Sequence, residues 1–213
     1  MSEIQGLYLV AGEEHCSHSD LESVVHDAVQ GGVKLVQLRE KTASTRAFVE
    51  KAARLKALLT PFQVPLIIND RIDIALAVDA DGIHIGQSDM DYLTARKILG
   101  AEKIIGLSVE TMEEVIEAQN WDVAYLGVSP IFSTPTKTDT KAPWGIEGLR
   151  KIKRFSKHRL VAIGGIHYEN IREVLEAGAD AIAIVSAICA AQNPKESAAH
   201  LSHLIAEHHS KTA

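Results

Sequence analysis

Gln37, Arg39 and Lys41 stand two residues apart at the end of a short apolar run that begins at Leu35. Alternate side chains of a β-strand share a face. The spacing therefore aims an amide, a guanidinium and an ammonium one way, and Val36 and Leu38 the other. The Arg fork grips two anionic oxygens at once, Lys adds a point charge and the amide orients, a set suited to a diphosphate. A strand end fraying into water with ordinary surface charges is the alternative. Two later apolar runs lead into Asn69-Asp70-Arg71 and Gly86-Gln87-Ser88-Asp89. Carboxylates at Asp70 and Asp89, opposite a cationic strand end, suit Mg²⁺, which takes one or two carboxylates and completes its shell with water and substrate phosphate. Taken singly, either Asp could equally cap a helix.

A second group of anion-binding side chains lies in the run Ser129-Pro130-Ile131-Phe132-Ser133-Thr134-Pro135-Thr136-Lys137. Pro130 and Pro135 forbid a helix there and stiffen the segment. The hydroxyls of Ser133, Thr134 and Thr136 and the Lys137 ammonium can all bond phosphate or carboxylate oxygens. By itself such a run also reads as a polar surface loop. Gly164-Gly165-Ile166 and Val185-Ser186 close two further apolar runs, where glycines let a ligand approach the backbone and a hydroxyl adds a donor. Ser108 ends another run and by itself suits a turn or cap. His84, inside an apolar run, reads as a buried, hydrogen-bonded histidine. His15-Cys16-Ser17-His18 lacks the second half of a metal-binding pattern and reads as a polar loop. His200, His203, His208 and His209 suit a solvated helix face and tail, and no Ser-His-Asp arrangement stands out.

These residues need a scaffold that brings many strand ends to one place. Short, largely apolar runs recur at Leu7–Val10, Leu35–Leu38, Leu66–Ile68, Gly82–Ile85, Ile104–Leu107, Val123–Leu126, Leu160–Ile163 and Ala181–Val185. They suit parallel strands covered on both faces. Helical patterns lie between them, among them Leu21–Gln30, Arg46–Leu59, Tyr92–Leu99, Met112–Asn120 and Asn170–Ala177. Ser19-Asp20-Leu21-Glu22 and Thr111-Met112-Glu113-Glu114 fit a capping box, and Gly31-Gly32, Gly100 and Gly178 sit where helices should stop. Eight strand–helix units in one chain predict a single (β/α)₈ barrel domain over residues 1–213, with active groups at the C-terminal strand ends. A doubly wound open sheet is the alternative, but Ala11-Gly12-Glu13-Glu14 is not its glycine-rich first turn. The stretch from Gly127 to Gly145 is long enough for a lid.

A net charge of −6 argues against a nucleic-acid partner, and no uninterrupted apolar run is long enough to span a bilayer. Met1 to Val10 carries Glu3 and only a brief apolar run, unlike a signal peptide. Cys16 and Cys189 offer neither metal spacing nor a disulfide framework, so the cytoplasm is the expected compartment. The expected partners are small molecules, and a homo-oligomer is compatible with the sequence.

In these same segments the chain resembles the thiamine phosphate synthases, also called thiamine phosphate pyrophosphorylases. The matching pieces are Gln37-Leu38-Arg39-Glu40-Lys41, Asn69-Asp70-Arg71, Gly82-Ile83-His84-Ile85-Gly86-Gln87 with Asp89, and Gly106-Leu107-Ser108. They continue through Ser129-Pro130-Ile131-Phe132, Thr134-Pro135-Thr136-Lys137, Gly164-Gly165-Ile166 and Ser186-Ala187-Ile188, in order along nearly the whole chain. The resemblance implies a (β/α)₈ barrel that joins an aminopyrimidine diphosphate to a thiazole phosphate, or its carboxylate, and releases pyrophosphate. It implies one Mg²⁺ per subunit on Asp70 and Asp89. It also implies that Gln37, Leu38, Arg39, Glu40, Lys41, Asn69, Ser108 and Lys137 hold the pyrimidine substrate. Among these, Arg39, Lys41 and Lys137 act on the leaving diphosphate. Thr134, Pro135, Thr136, Gly165, Val185 and Ser186 would hold the thiazole phosphate. Trp144 would either pack over the site or anchor its loop. The related thiazole tautomerases share the barrel without needing the diphosphate and metal site, and a non-catalytic thiamine-related binding protein is a further alternative. Arg39, Lys41, Asp70, Asp89 and Lys137 are all present, which favours the synthase.

Overall fold

Parallel strands close on themselves in sequence order, from β1 through β8 and back to β1, in a computed structural model that describes residues 4–134 and 141–212. The strands are β1 (Gly6–Ala11), β2 (Leu35–Leu38), β3 (Leu66–Asn69), β4 (Gly82–Ile85), β5 (Ile104–Val109), β6 (Tyr125–Val128), β7 (Arg159–Ile163) and β8 (Ala181–Ile184). Helices α1 (Leu21–Gln30), α2 (Thr45–Leu59), α3 (Ile72–Ala77), α4 (Tyr92–Leu99), α5 (Met112–Ala118), α6 (Gly145–Phe155) and α7 (Ile171–Glu176) cross between them. After β8 come the short α8 (Ser186–Cys189) and the long α9 (Pro194–Thr212), which packs on α1 and α7. This is the (β/α)₈ barrel that the recurring apolar runs predict. Among the described residues, no helix is long and apolar enough to cross a membrane.

The strands are nearly all apolar because both faces are covered. Leu9, Val36, Leu38, Ile68, Ile83, Ile105, Leu126 and Ile182 point outward and pack beneath the helices in the larger core cluster. Tyr8, Val10, Leu35, Ile67, Ile104, Tyr125, Val161 and Ala183 fill the barrel itself. Closure follows from pairing Gly6 with Ala181 and Leu9 with Ile184 across β1 and β8.

Thr111 and Glu114 form the expected capping box: Glu114 N–H donates to Thr111 Oγ1 at 3.3 Å, and Glu114 Oε2 accepts from Thr111 N–H at 3.1 Å. The start of α1 differs from expectation. Asp20, not Ser19, is the cap, accepting from Ser23 N–H at 2.9 Å. Strand β5 runs on to Val109 and β6 occupies Tyr125–Val128 instead of Val123–Leu126. Their register, with Ser108 opposite Gly127 and Val109 opposite Val128, decides those limits; hydropathy alone does not.

Candidate active site

The C-terminal strand ends surround a cavity of about 660 Å³. Its first wall follows from the alternation of β2. Gln37, Arg39 and Lys41 all line it, whereas Leu38 is wholly buried beneath the helices. Glu40, of the same parity as Leu38, turns away, accepting from Glu13 N–H at 2.8 Å and from Lys51 Nζ at 2.9 Å. Lys51 also pairs with Glu13, which ties the β1 and β2 loops to α2. Leu38 and Glu40 do not line the cavity, unlike the three residues of the other parity. Arg39 Nη1 lies 3.5 Å from Glu14 Oε1 and Lys41 Nζ donates to Asp70 Oδ2 at 2.6 Å, so each cation stands beside a carboxylate.

Asn69, Asp70 and Asp89 form the adjoining wall. Asp70 has φ +61°, a conformation that Asp tolerates better than most residues, and its N–H donates to His84 O at 2.8 Å. Asp89 accepts from Gly86 N–H at 2.7 Å, closing the loop after β4. Burial, and in addition the neighbouring Asp70 carboxylate, hold the Asp89 carboxyl above its usual value, while Gly86 N–H opposes the shift. Two hard-oxygen donors in mutual repulsion at the end of a cationic strand fit a small divalent cation. Among the described residues, no group of three or more His, Cys, Asp or Glu gathers as a closed metal cage.

Across the mouth, Ser129, Ser133, Thr134, Gly164, Gly165, Val185 and Ser186 line the cavity. Ile131 N–H donates to Ile163 O at 2.9 Å and Phe132 N–H to Gly164 O at 3.0 Å, so the loop after β6 lies directly on the glycine turn after β7. Gly165 has φ +65°, and a Cβ there would stand 2.8 Å from Phe132 Cβ and Ser133 O. The glycines thus admit the neighbouring loop as well as facing the cavity. Gly165→Ala is expected to cost about 2–3 kcal/mol and lower the melting temperature by several degrees. An unchanged thermal melt would show that the loop does not rest on this turn. Pro135, Thr136 and Lys137 lie outside the described residues. Trp144 anchors the return of the chain: its N–H donates to Pro130 O at 2.9 Å and its indole Nε1–H to Val109 O at 3.3 Å.

Residues 7–188 match the family model described as Thiamine monophosphate synthase. The chain belongs to the thiamine monophosphate synthase family. It is 57% identical over 199 residues to the thiamine-phosphate synthase of Albidiferax ferrireducens, covering 93% of this chain and 91% of that one. It is 54% identical over 199 residues to the thiamine-phosphate synthase of Leptospira biflexa, covering 92% and 95% of the two chains. Among solved structures, the thiamine phosphate pyrophosphorylase from Pyrococcus furiosus superposes with a TM-score of 0.87 at 35% identity, covering 97% of this chain and 98% of that one.

Within this member of the thiamine monophosphate synthase family, the cavity also gathers residues outside the expected site set. His15, in the short turn Glu13–His15, lines the mouth beside Arg39. Burial holds its imidazole below the usual histidine value. Lys141 reaches the cavity and donates to Glu114 Oε1 at 2.9 Å, so the capping glutamate of α5 also helps to form the wall. Tyr8, His84 and Tyr125 form the floor. Besides His84, which the sequence reads as a hydrogen-bonded histidine, the signal for this floor is the pair Gly106 and Gly127, small residues in two otherwise bulky strands.

Proposed function

We propose that the protein is a thiamine-phosphate synthase, a transferase that joins an aminopyrimidine diphosphate to a thiazole phosphate, or its carboxylate, and releases pyrophosphate. The observation that carries this reading is one cavity with cations and paired carboxylates on one wall and hydroxyls and glycines on the other. The first wall suits a diphosphate, the second a monophosphate, and family membership supports the pairing.

In this reading Arg39 and Lys41 bind the diphosphate oxygens, and Gln37, Asn69 and Ser108 orient the pyrimidine. Asp70 and Asp89 would hold one Mg²⁺ per subunit, which supplies charge neutralisation on the diphosphate when bound. The bond between the pyrimidine methylene and the diphosphate oxygen breaks, and its electron pair leaves with the pyrophosphate. The electron-rich aminopyrimidine ring delocalises the remaining cation. The thiazole nitrogen then donates its lone pair to the methylene carbon, forming the new C–N bond. Thr134, Gly165, Val185 and Ser186 position the thiazole phosphate for that capture. Pro135, Thr136 and Lys137 take the roles that the family resemblance implies, the lysine on the diphosphate. Such chemistry asks for charge stabilisation and alignment more than for a strong protein base. We place the enzyme in the cytoplasm as one barrel domain. The two cysteines are free thiols, and its multiply charged substrates do not cross membranes unaided.

The test is pyrophosphate release from the two substrates with Mg²⁺ and then with EDTA. Release that needs both substrates and the metal, with thiamine phosphate appearing in step, is expected. No release, with isomerisation of the thiazole carboxylate phosphate instead, would overturn the synthase reading in favour of a tautomerase.

A further inference from the structure

Beneath the cavity a continuous chain of hydrogen bonds runs across the barrel. Gln37 Nε2 donates to Tyr8 Oη at 2.7 Å, Tyr8 Oη lies 2.8 Å from Tyr125 Oη, and Tyr125 Oη lies 3.0 Å from His84 Nδ1. The chain ends where His84 Nε2 meets Ser108 Oγ at 2.8 Å. Two absent side chains make room for it. A Cβ on Gly106 would lie 2.1 Å from Tyr125 Cζ, and one on Gly127 would lie 2.9 Å from His84 Cε1. The register sets Gly106 between His84 and Tyr125 on adjacent strands, and the two rings stack across it at 5.6 Å and 18°.

A phenol has one proton to give and two lone pairs to accept with, so the first bond orders the rest when each phenol spends its proton along the chain. In that order Tyr8 accepts from Gln37 and donates to Tyr125. Tyr125 in turn donates to His84 Nδ1. The imidazole is then neutral, with its proton on Nε2, and donates to Ser108 Oγ. Burial raises both phenols well above their usual values, so each stays protonated and passes on one hydrogen bond. At the two ends, Gln37 keeps its amide carbonyl as an acceptor and Ser108 keeps its own hydroxyl proton as a donor.

We propose that Tyr8, Tyr125 and His84 are positioning residues that fix the proton order of the chain, so that Gln37 and Ser108 meet the ligand as one acceptor and one donor. The class of ligand edge this fits is an N–H donor beside a ring-nitrogen acceptor, as on an aminopyrimidine. The assignment to that substrate rests on the synthase reading above. The proton order itself does not.

The experiment compares the wild type with Tyr125→Phe and Tyr8→Phe, each of which removes one hydroxyl and keeps the ring. The expected result is a KM for the aminopyrimidine diphosphate raised about tenfold, with the KM for the thiazole phosphate within about twofold of wild type. A purely structural role would move both constants together or neither, and either result would overturn the proposal. Nitrogen-15 NMR of the His84 imidazole in the ligand-free wild type reads the proton order without turnover. Protonation at Nε2 alone supports it, whereas protonation at Nδ1, or at both nitrogens near neutral pH, overturns it. A wild type that releases no pyrophosphate would defeat the synthase reading, and the His84 tautomer would still decide the proton order.

Discussion

Asp70→Asn is expected to lower turnover by about a thousandfold while the melting temperature stays within a few degrees of wild type. Asn also tolerates the left-handed backbone at this position, φ +61°, so the change removes charge without imposing a new conformation. The ion pair it breaks, Lys41 Nζ to Asp70 Oδ2 at 2.6 Å, joins an ammonium that is 47% exposed to a carboxylate that is 21% exposed. Pairs so accessible to water contribute at most about 1 kcal/mol to folding. In the proposed function the same carboxylate is half of the cation site, and its partner Lys41 binds the leaving diphosphate, where charge develops as the C–O bond breaks. Lys41→Ala should lose about a hundredfold or more by the same logic. The double variant should lose less than the product of the two, because both act on one set of phosphate oxygens. Turnover of Asp70→Asn within threefold of wild type would remove Asp70 from the chemistry.

The strand end that carries Lys41 was legible because strand periodicity is an exact two. Once Leu35–Leu38 reads as a strand, alternation aims Gln37 inward, and Arg39 and Lys41, just past the strand end, line the same cavity. The same parity keeps the Leu38 and Glu40 side chains off the cavity lining. Both belong to the expected substrate contacts because the family motif is contiguous in sequence, whereas the side chains of a strand alternate between faces. Ser108 reads as a turn residue only if β5 stops at Leu107. Pairing with Gly127 carries the strand two residues further and turns that hydroxyl inward to His84. Tyr8 and Tyr125 touch across 117 residues of sequence, a separation at which no spacing rule speaks. Their hydroxyls meet because barrel closure places β1 and β6 across the interior from one another. Lys141 and Glu114 likewise meet far apart in sequence, with Trp144, three residues beyond Lys141, fixed to the end of β5 at Val109 O.

The fate of Asp89 connects this geometry to stability. Its carboxyl is held above the usual 3.8 by burial, and further by Asp70, so ionisation is less favourable in the folded protein than in the unfolded chain. For a raised carboxylate, the stabilising contribution is present below the unfolded value and is lost as pH rises through the folded one. Where Asp89 is ionised, the metal-free protein therefore carries this charge at a cost to its own stability. Asp89→Asn removes the cost, and the amide oxygen can still accept from Gly86 N–H, the bond that closes the β4 loop. The variant is expected to be more stable without metal by about 1 kcal/mol, roughly 2–4 °C in melting temperature. Its turnover should fall by about a hundredfold to a thousandfold. Mg²⁺ should raise the melting temperature of the wild type and leave that of Asp89→Asn nearly unchanged. These opposite signs separate two roles for one residue. A carboxylate kept mainly to brace the β4 loop would leave the variant less stable with turnover little changed. One kept for a cation leaves it more stable and nearly inactive, because the burial and the neighbouring Asp70 charge that make the carboxylate costly without metal are what a bound cation would offset.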